Sequence, residues 1–123
     1  MPNAFEHLKN YSYIDLVTYR KSGAPVHTPV WFAEQDGKLY VMTRNDSGKA
    51  KRIRNNPRIE IAPSTIRGNR TGPGLAATVQ VAADPEMARR LIRKKYLLAR
   101  FPIWSRQNIY LEIRAAEAAS PDA

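Results

Sequence analysis

Cysteine is absent from this chain, which removes disulfides, thiolate metal sites and a cysteine nucleophile together. Imidazole is almost as scarce. The two histidines, His7 and His27, lie far apart without metal-ligand spacing, so neither a zinc site nor a Ser-His-Asp triad is expected. No apolar run is long enough to span a bilayer, because Asp, Arg, Lys or Gly interrupts each stretch. Met1 to Asn10 has no apolar signal-peptide core, and the expected location is the cytoplasm. The phosphate-loop spacing Gly-x4-Gly-Lys-Ser/Thr and the Gly-x-Gly-x-x-Gly fingerprint are both missing, which argues against a nucleoside triphosphatase. Acid is in short supply too: 11 Asp and Glu stand against 20 Lys and Arg, a formal net charge of +9. Such an excess suits an anionic partner, whether nucleic acid, a membrane surface or a small polyanion.

What is present describes one folded domain. With 43% hydrophobic residues in 123, the chain can bury roughly two-thirds of its unfolded surface. Tyr13 to Tyr19 is rich in strand formers, and Lys21-Ser22-Gly23 supplies a turn. Val26 to Phe32 reads as a second strand, with Pro29 marking an irregular or edge position. Asp36-Gly37, flanked by Trp31-Phe32 and Leu39-Tyr40-Val41, is a hairpin signal, so the first third is expected to form a three-stranded meander. Arg58 to Ala62 is a fourth strand with Ile59 and Ile61 facing the core, and Ser64 to Gly74 is a polar loop.

Ala77 to Val81 makes a fifth strand. Asp84-Pro85-Glu86 opens a helix with an N-cap aspartate and a proline at its first position. Met87, Leu91, Ile92 and Tyr96 form that helix's apolar stripe, and the Arg89 to Lys95 run reads as its solvated face. Ile109 to Ile113 is the last strand, closing a domain over residues 1–114, with 115–123 a frayed tail. Six antiparallel strands and two short helices indicate a mostly β chain, a small closed or nearly closed barrel.

The most charged segment runs from Arg44 to Arg58 and holds Asp46 as its only acid. It reads as a loop opening a short helix, N-capped by Ser47 or Asp46 and closed by Asn55-Asn56-Pro57. Lys49, Lys51 and Arg52 then crowd the positive end of the helix dipole, an end that prefers anions. A phosphate resolves the conflict, held by free backbone N–H groups, the Ser47 hydroxyl and the Lys49 ammonium, with Thr43 as a further donor. A solvated, slightly frayed basic helix is the alternative and costs only tenths of a kcal/mol per charge. Arg67 and Arg70, in the glycine-bearing loop, are candidates to clamp a second anionic group, or are simply solvated. Trp31 and Phe32 read as core. Trp104, among Phe101, Pro102 and Ile103, reads as the seal of a barrel mouth or a subunit contact.

The order Pro29-Val30-Trp31-Phe32, Asp36-Gly37-Lys38-Leu39-Tyr40-Val41, Thr43, Ser47-Gly48-Lys49-Ala50-Lys51-Arg52-Ile53, Asn56-Pro57-Arg58 resembles the pyridoxamine-phosphate-oxidase-like flavin split-barrel superfamily. Arg67-Gly68 and Gly72-Pro73 extend the likeness, which is strongest to the branch using the deazaflavin coenzyme F420. The resemblance implies a six-stranded split barrel, a homodimer and a cofactor groove at the subunit interface. It implies that Thr43, Ser47 and Lys49 hold the cofactor phosphate, with Gly48, Lys51, Arg52 and Arg67 in the same site. It implies further that the backbone of Pro29, Val30 and Trp31 lines the tricyclic ring. Two departures stand out: Val26-His27-Thr28 where the oxidases carry an arginine, and Gly48 where they usually carry another.

The function so implied is hydride transfer between coenzyme F420 and a small organic acceptor, with FMN as the alternative cofactor. A carrier that sequesters a cofactor or a tetrapyrrole is a further alternative, since it needs the same pocket. A nucleic-acid-binding barrel using Tyr11, Tyr19 or Trp104 for stacking is the reading from a different class.

Overall fold

The computed structural model describes residues 5–8, 11–96 and 108–116. Its strands follow the alternation of the sequence. In β1 (Tyr13–Tyr19), Ile14 and Leu16 enter the core, while Asp15 and Val17 lie on the opposite face. β2 (Pro25–Val30) pairs antiparallel with β1, placing Val30 opposite Ile14 and Pro29 opposite Asp15. The chain then breaks at Trp31-Phe32 and starts a separate short strand, β3 (Ala33–Gln35), paired with β4 (Lys38–Arg44). Asp36 (φ 54°) and Gly37 (φ 79°) make the positive-φ turn between them, the conformation for which Asp-Gly is selected.

β4 continues to α1 (Gly48–Asn55), β5 (Arg58–Ser64), β6 (Leu75–Val81), α2 (Pro85–Lys95) and β7 (Asn108–Ala115). The sheet order is β2-β1-β5-β6-β7-β4-β3, every pairing antiparallel. The sheet curls around one main core, in which Ile14, Phe32, Leu39, Val41, Ile61, Leu111 and Ile113 are almost fully buried. This is a split barrel.

Two expectations are corrected here. The described residues form seven strands rather than six, because Val26 to Phe32 is not one strand: Trp31-Phe32 carries the chain from one edge of the sheet to the other. For the same reason the first third is not a meander. It is two hairpins, β1–β2 and β3–β4, at opposite edges.

Ser47 is the N-cap of α1, its Oγ accepting from the Ala50 amide at 3.1 Å, and Asp84 caps α2 with Pro85 following. α2 lays Ala88 and Ile92 on the sheet, with Met87 and Leu91 half-buried beside them. β7 runs through Ala115, opposite Ala77, and the Ala116 amide donates to the Ala76 carbonyl, so the strand includes a residue read as tail. Phe101, Ile103, Trp104 and residues 117–123 lie outside the described residues. No helix among the described residues is long and apolar enough to cross a membrane.

Candidate functional site

At the start of α1 several donors lie close together. The Ser47 amide donates to the Arg44 carbonyl, and the Ser47 carbonyl accepts from Lys51. The Ala50 amide is taken by the cap, which leaves the Gly48 and Lys49 amides without partners among the described residues. Thr43 Oγ1, at the end of β4, lies 3.1 Å from Ser47 Oγ, so the strand end and the helix start are joined by hydroxyls. Lys49 is half-buried and pairs with no acid among the described residues. Burial, then the neighbouring Arg52 charge, holds its ammonium below the usual lysine range.

Arg52 donates its Nε to Thr18 Oγ1 at 2.6 Å, on the inner face of β1. Its guanidinium folds back against Gly48, where a Cβ would stand 2.8 Å from Arg52 Nη1. The space in which a side chain at position 48 would begin is therefore filled by an arginine from one turn further along. Lys51 is exposed. Among the expected phosphate ligands, Thr43, Ser47, Gly48, Lys49 and Arg52 are brought together. The residues fit a phosphate: open amides, two hydroxyls and two cations, Lys49 and Arg52, with no carboxylate against either among the described residues.

Pro29 and Trp31 lie elsewhere, with Tyr13, Met42 and Ile92 around a cavity of about 240 Å³. Val30 points into the core, so only its backbone can face a ligand. Contrary to the expectation that it is core, Trp31 is a half-buried ring stacked on Tyr96 (centroids 4.6 Å apart, planes at 8°). The cavity meets the phosphate region only through Met42, the neighbour of Thr43, and neither Ser47 nor Lys49 lines it. Arg67 sits exposed in the loop after β5, next to Gly68, which packs over the Pro29 ring.

Tyr96 is a strut that the sequence reading missed. Its hydroxyl accepts from the Phe32 amide at 3.0 Å, and its one proton is offered to the Phe32 and Ser12 carbonyls, each at 2.8 Å. It thus ties the end of α2 to the β2–β3 crossover and to the start of β1, beneath Trp31. Burial pushes its pKa up to about 12. Tyr96→Phe leaves the buried Phe32 amide unpaired, and we expect a loss of about 1–3 kcal/mol in urea unfolding. The alkaline limb carries a signature. An unfolded tyrosine ionises near 10.0 while native Tyr96 holds its proton to about 12, so wild-type stability falls between those values. The Phe variant should lose that component of the fall.

The Arg89 to Lys95 run is not wholly a solvated face. Lys95 Nζ lies 3.6 Å from the Phe32 ring centroid, and partial burial pushes it down to about 8. The polar loop after β5 is tied down by its own hydrogen bonds. Ser64 bridges to Arg70, the Thr71 amide donates to the Pro63 carbonyl, and Thr65 Oγ1 accepts from the Asn69 amide. Arg70 is no anion clamp: its Nε donates to Asp15 Oδ2 at 2.8 Å and its Nη1 lies 2.7 Å from Glu60 Oε1. Asp15 is buried, and its Oδ2 also meets His27 Nδ1 at 2.8 Å. His27, for which the sequence indicated neither a metal site nor a triad, belongs to this cluster.

The fold has counterparts among known proteins. The family model for pyridoxamine 5'-phosphate oxidase matches residues 3–120, and the chain belongs to that family. A comparison with curated proteins gave no match. Among solved structures, a Listeria innocua protein named for pyridoxamine 5'-phosphate oxidase superposes with TM-score 0.70 at 14% identity, covering 89% of this chain and 88% of its own. An F420 reductase superposes with TM-score 0.64 at 19% identity, covering 94% and 96%. A heme storage protein from Vibrio cholerae gives TM-score 0.65 at 12% identity, covering 96% and 93%. At such identities these likenesses speak for the fold.

Proposed function

We propose that this chain is an oxidoreductase that binds a phosphate-bearing deazaflavin, coenzyme F420, and transfers hydride between it and a small organic acceptor. The observation that carries the reading is Lys49: half-buried, unpaired, and set beside open amides and two hydroxyls at the start of α1. Thr43, Ser47 and Lys49 would hold the phosphate, with Arg52 adding charge from the barrel side. The backbone of Pro29, Val30 and Trp31 would flank the ring, with Trp31 held in place by its stack on Tyr96. When bound, the deazaflavin supplies the carbon that gives or takes hydride, and the protein supplies orientation and charge.

FMN is the second cofactor reading, favoured by membership in the pyridoxamine 5'-phosphate oxidase family. The net charge of +9 favours F420, whose phosphate and glutamate tail carry several negative charges. Likeness to a heme storage protein favours a carrier of a tetrapyrrole. Parallel fluorescence titrations with F420, FMN and hemin separate these readings. We expect F420 to bind most tightly. Equal or reversed affinity moves the assignment to FMN, and hemin binding alone moves it to a carrier.

The cavity of about 240 Å³ beside Trp31 is smaller than ligand pockets of roughly 300–1,000 Å³. A second copy of the chain would complete the site, as the resemblance implies. Sedimentation equilibrium at micromolar concentration should report a dimer. A monomer with cofactor bound would remove the partner from the site.

A further inference from the structure

Against α1, on the inner side of the barrel, lies a space that Lys49 does not line. There Ala50, Ile53, Val79, Val81, Ile109 and Leu111 line a cavity of about 410 Å³, a size that suits a small ligand. Val81 shares the inward face of β6 with the buried Ala77 and Val79, yet 66% of it is exposed, which places it at the mouth. An inward-facing apolar side chain left against water is a position that a ligand's apolar body would cover.

Arg54 adds the polar element. Its Nη2 donates to the main-chain oxygen of Asn45 at 2.9 Å and to Asn45 Oδ1, so the guanidinium is anchored at the cavity. Its Nε and Nη1 have no partner among the described residues. No acid lines the cavity, and Asp46, next to Asn45, is held by Arg44. Arg52, by contrast, turns to Thr18 on β1, so the two flanks of α1 are separate environments.

We infer that this cavity is a second ligand site, for a monocarboxylate with a compact apolar body. The body lies among the valines, isoleucines and leucine, and the carboxylate meets the free edge of Arg54. Apolar cavities take up small apolar molecules, and a fixed guanidinium is a geometric match for a carboxylate. The site is independent of the cofactor.

Isothermal titration with octanoate, octan-1-ol and octylammonium tests it. Octanoate should bind with a Kd below about 1 mM and more tightly than octanol, and octylammonium should not bind. Arg54→Gln should weaken octanoate roughly ten- to a hundredfold and leave octanol unchanged, so octanol reports that the variant is folded. Val81→Trp, made at an exposed position, should block both. Octanoate affinity should be the same in Lys49→Ala and in the presence of saturating FMN or F420. The inference is overturned if octanoate does not bind, or if it binds Arg54→Gln or Val81→Trp as it binds the wild type. Displacement by a cofactor, or loss in Lys49→Ala, assigns the cavity to the cofactor site and overturns it too. Loss of self-association in Val81→Trp would mark the mouth as a subunit contact, with the same consequence.

Discussion

Arg70→Ala should destabilise the fold by about 3 kcal/mol, far more than a surface ion pair. Asp15 lies 1% exposed on β1, and its Oδ1 has no hydrogen-bond partner. Its contacts are made through Oδ2 alone, with Arg70 Nε and His27 Nδ1 each at 2.8 Å, and Arg70 brings the fixed positive charge. His27 is more than half exposed and reaches in from the edge strand, so Arg70 is the partner that covers the carboxylate. Truncating the arginine leaves a buried carboxylate without that cover, and it frees Glu60, the arginine's second partner. The variant Asp15→Asn/Arg70→Ala supplies the diagnostic. With the charge gone, the arginine is no longer needed, and the double variant should be more stable than Arg70→Ala alone. Urea unfolding of the four proteins in this cycle measures both effects. A loss under about 0.5 kcal/mol, or strict additivity, would reduce the cluster to a solvated contact.

That cluster also shows which parts of the molecule were legible in the sequence. Local chemistry was. Ser47 before a basic run, Asp84 before Pro85 and Asp36 before Gly37 each act on a neighbour within a few residues, and each takes the role its type dictates. Ile59 and Ile61 alternate into the core because period 2 is a property of the strand itself. What joins distant segments was not legible. Asp15 and Arg70 are 55 residues apart, and Tyr96 and Phe32 are 64 apart. Nothing in the spacing of either pair marks it. Arg70 therefore read as an anion ligand, when the anion it binds is a carboxylate of its own chain.

The split between β2 and β3 was hidden for a related reason. Val26 to Phe32 has strand-forming residues throughout, and no glycine announces a break. The break is imposed by topology: β2 needs β1 and β3 needs β4, at opposite edges of the sheet. Phe32 nonetheless stays buried, and its amide and carbonyl are met by Tyr96 in place of a strand partner. The candidate site sits between these regimes. The half proposed to hold a phosphate is a helix start, readable from Ser47 and Lys49. The proposed ring half depends on Tyr13, Pro29, Trp31, Met42 and Ile92 meeting from separate segments, and of these Pro29 and Trp31 were expected there.

Lys49→Ala should weaken the cofactor roughly ten- to a hundredfold, the equivalent of one charge-assisted hydrogen bond of about 1.5–3 kcal/mol. Three features make Lys49 the choice among the cations of α1. Arg52 is committed to Thr18, and Lys51 is exposed, whereas Lys49 is half-buried with no acid to offset its charge. Burial already holds its ammonium below the usual range, so the charged form is disfavoured in the unliganded protein and gains most from a bound phosphate. The same reasoning fixes the sign of the stability effect. A lysine whose pKa is lowered in the folded state, at the positive end of a helix, costs stability at neutral pH, where it remains charged. Removing it should leave the unliganded fold level or slightly more stable while affinity falls. Lys94→Ala, on the exposed side of α2, is the control and should change neither. Binding to nucleic acid predicts another pattern, in which Lys49 is one contact among many and its loss lowers the salt slope by about one. Equal effects of Lys49→Ala and Lys94→Ala on cofactor affinity would remove the phosphate from the start of α1. A fall in affinity matched by an equal fall in stability would mean that Lys49 supports the fold rather than the ligand.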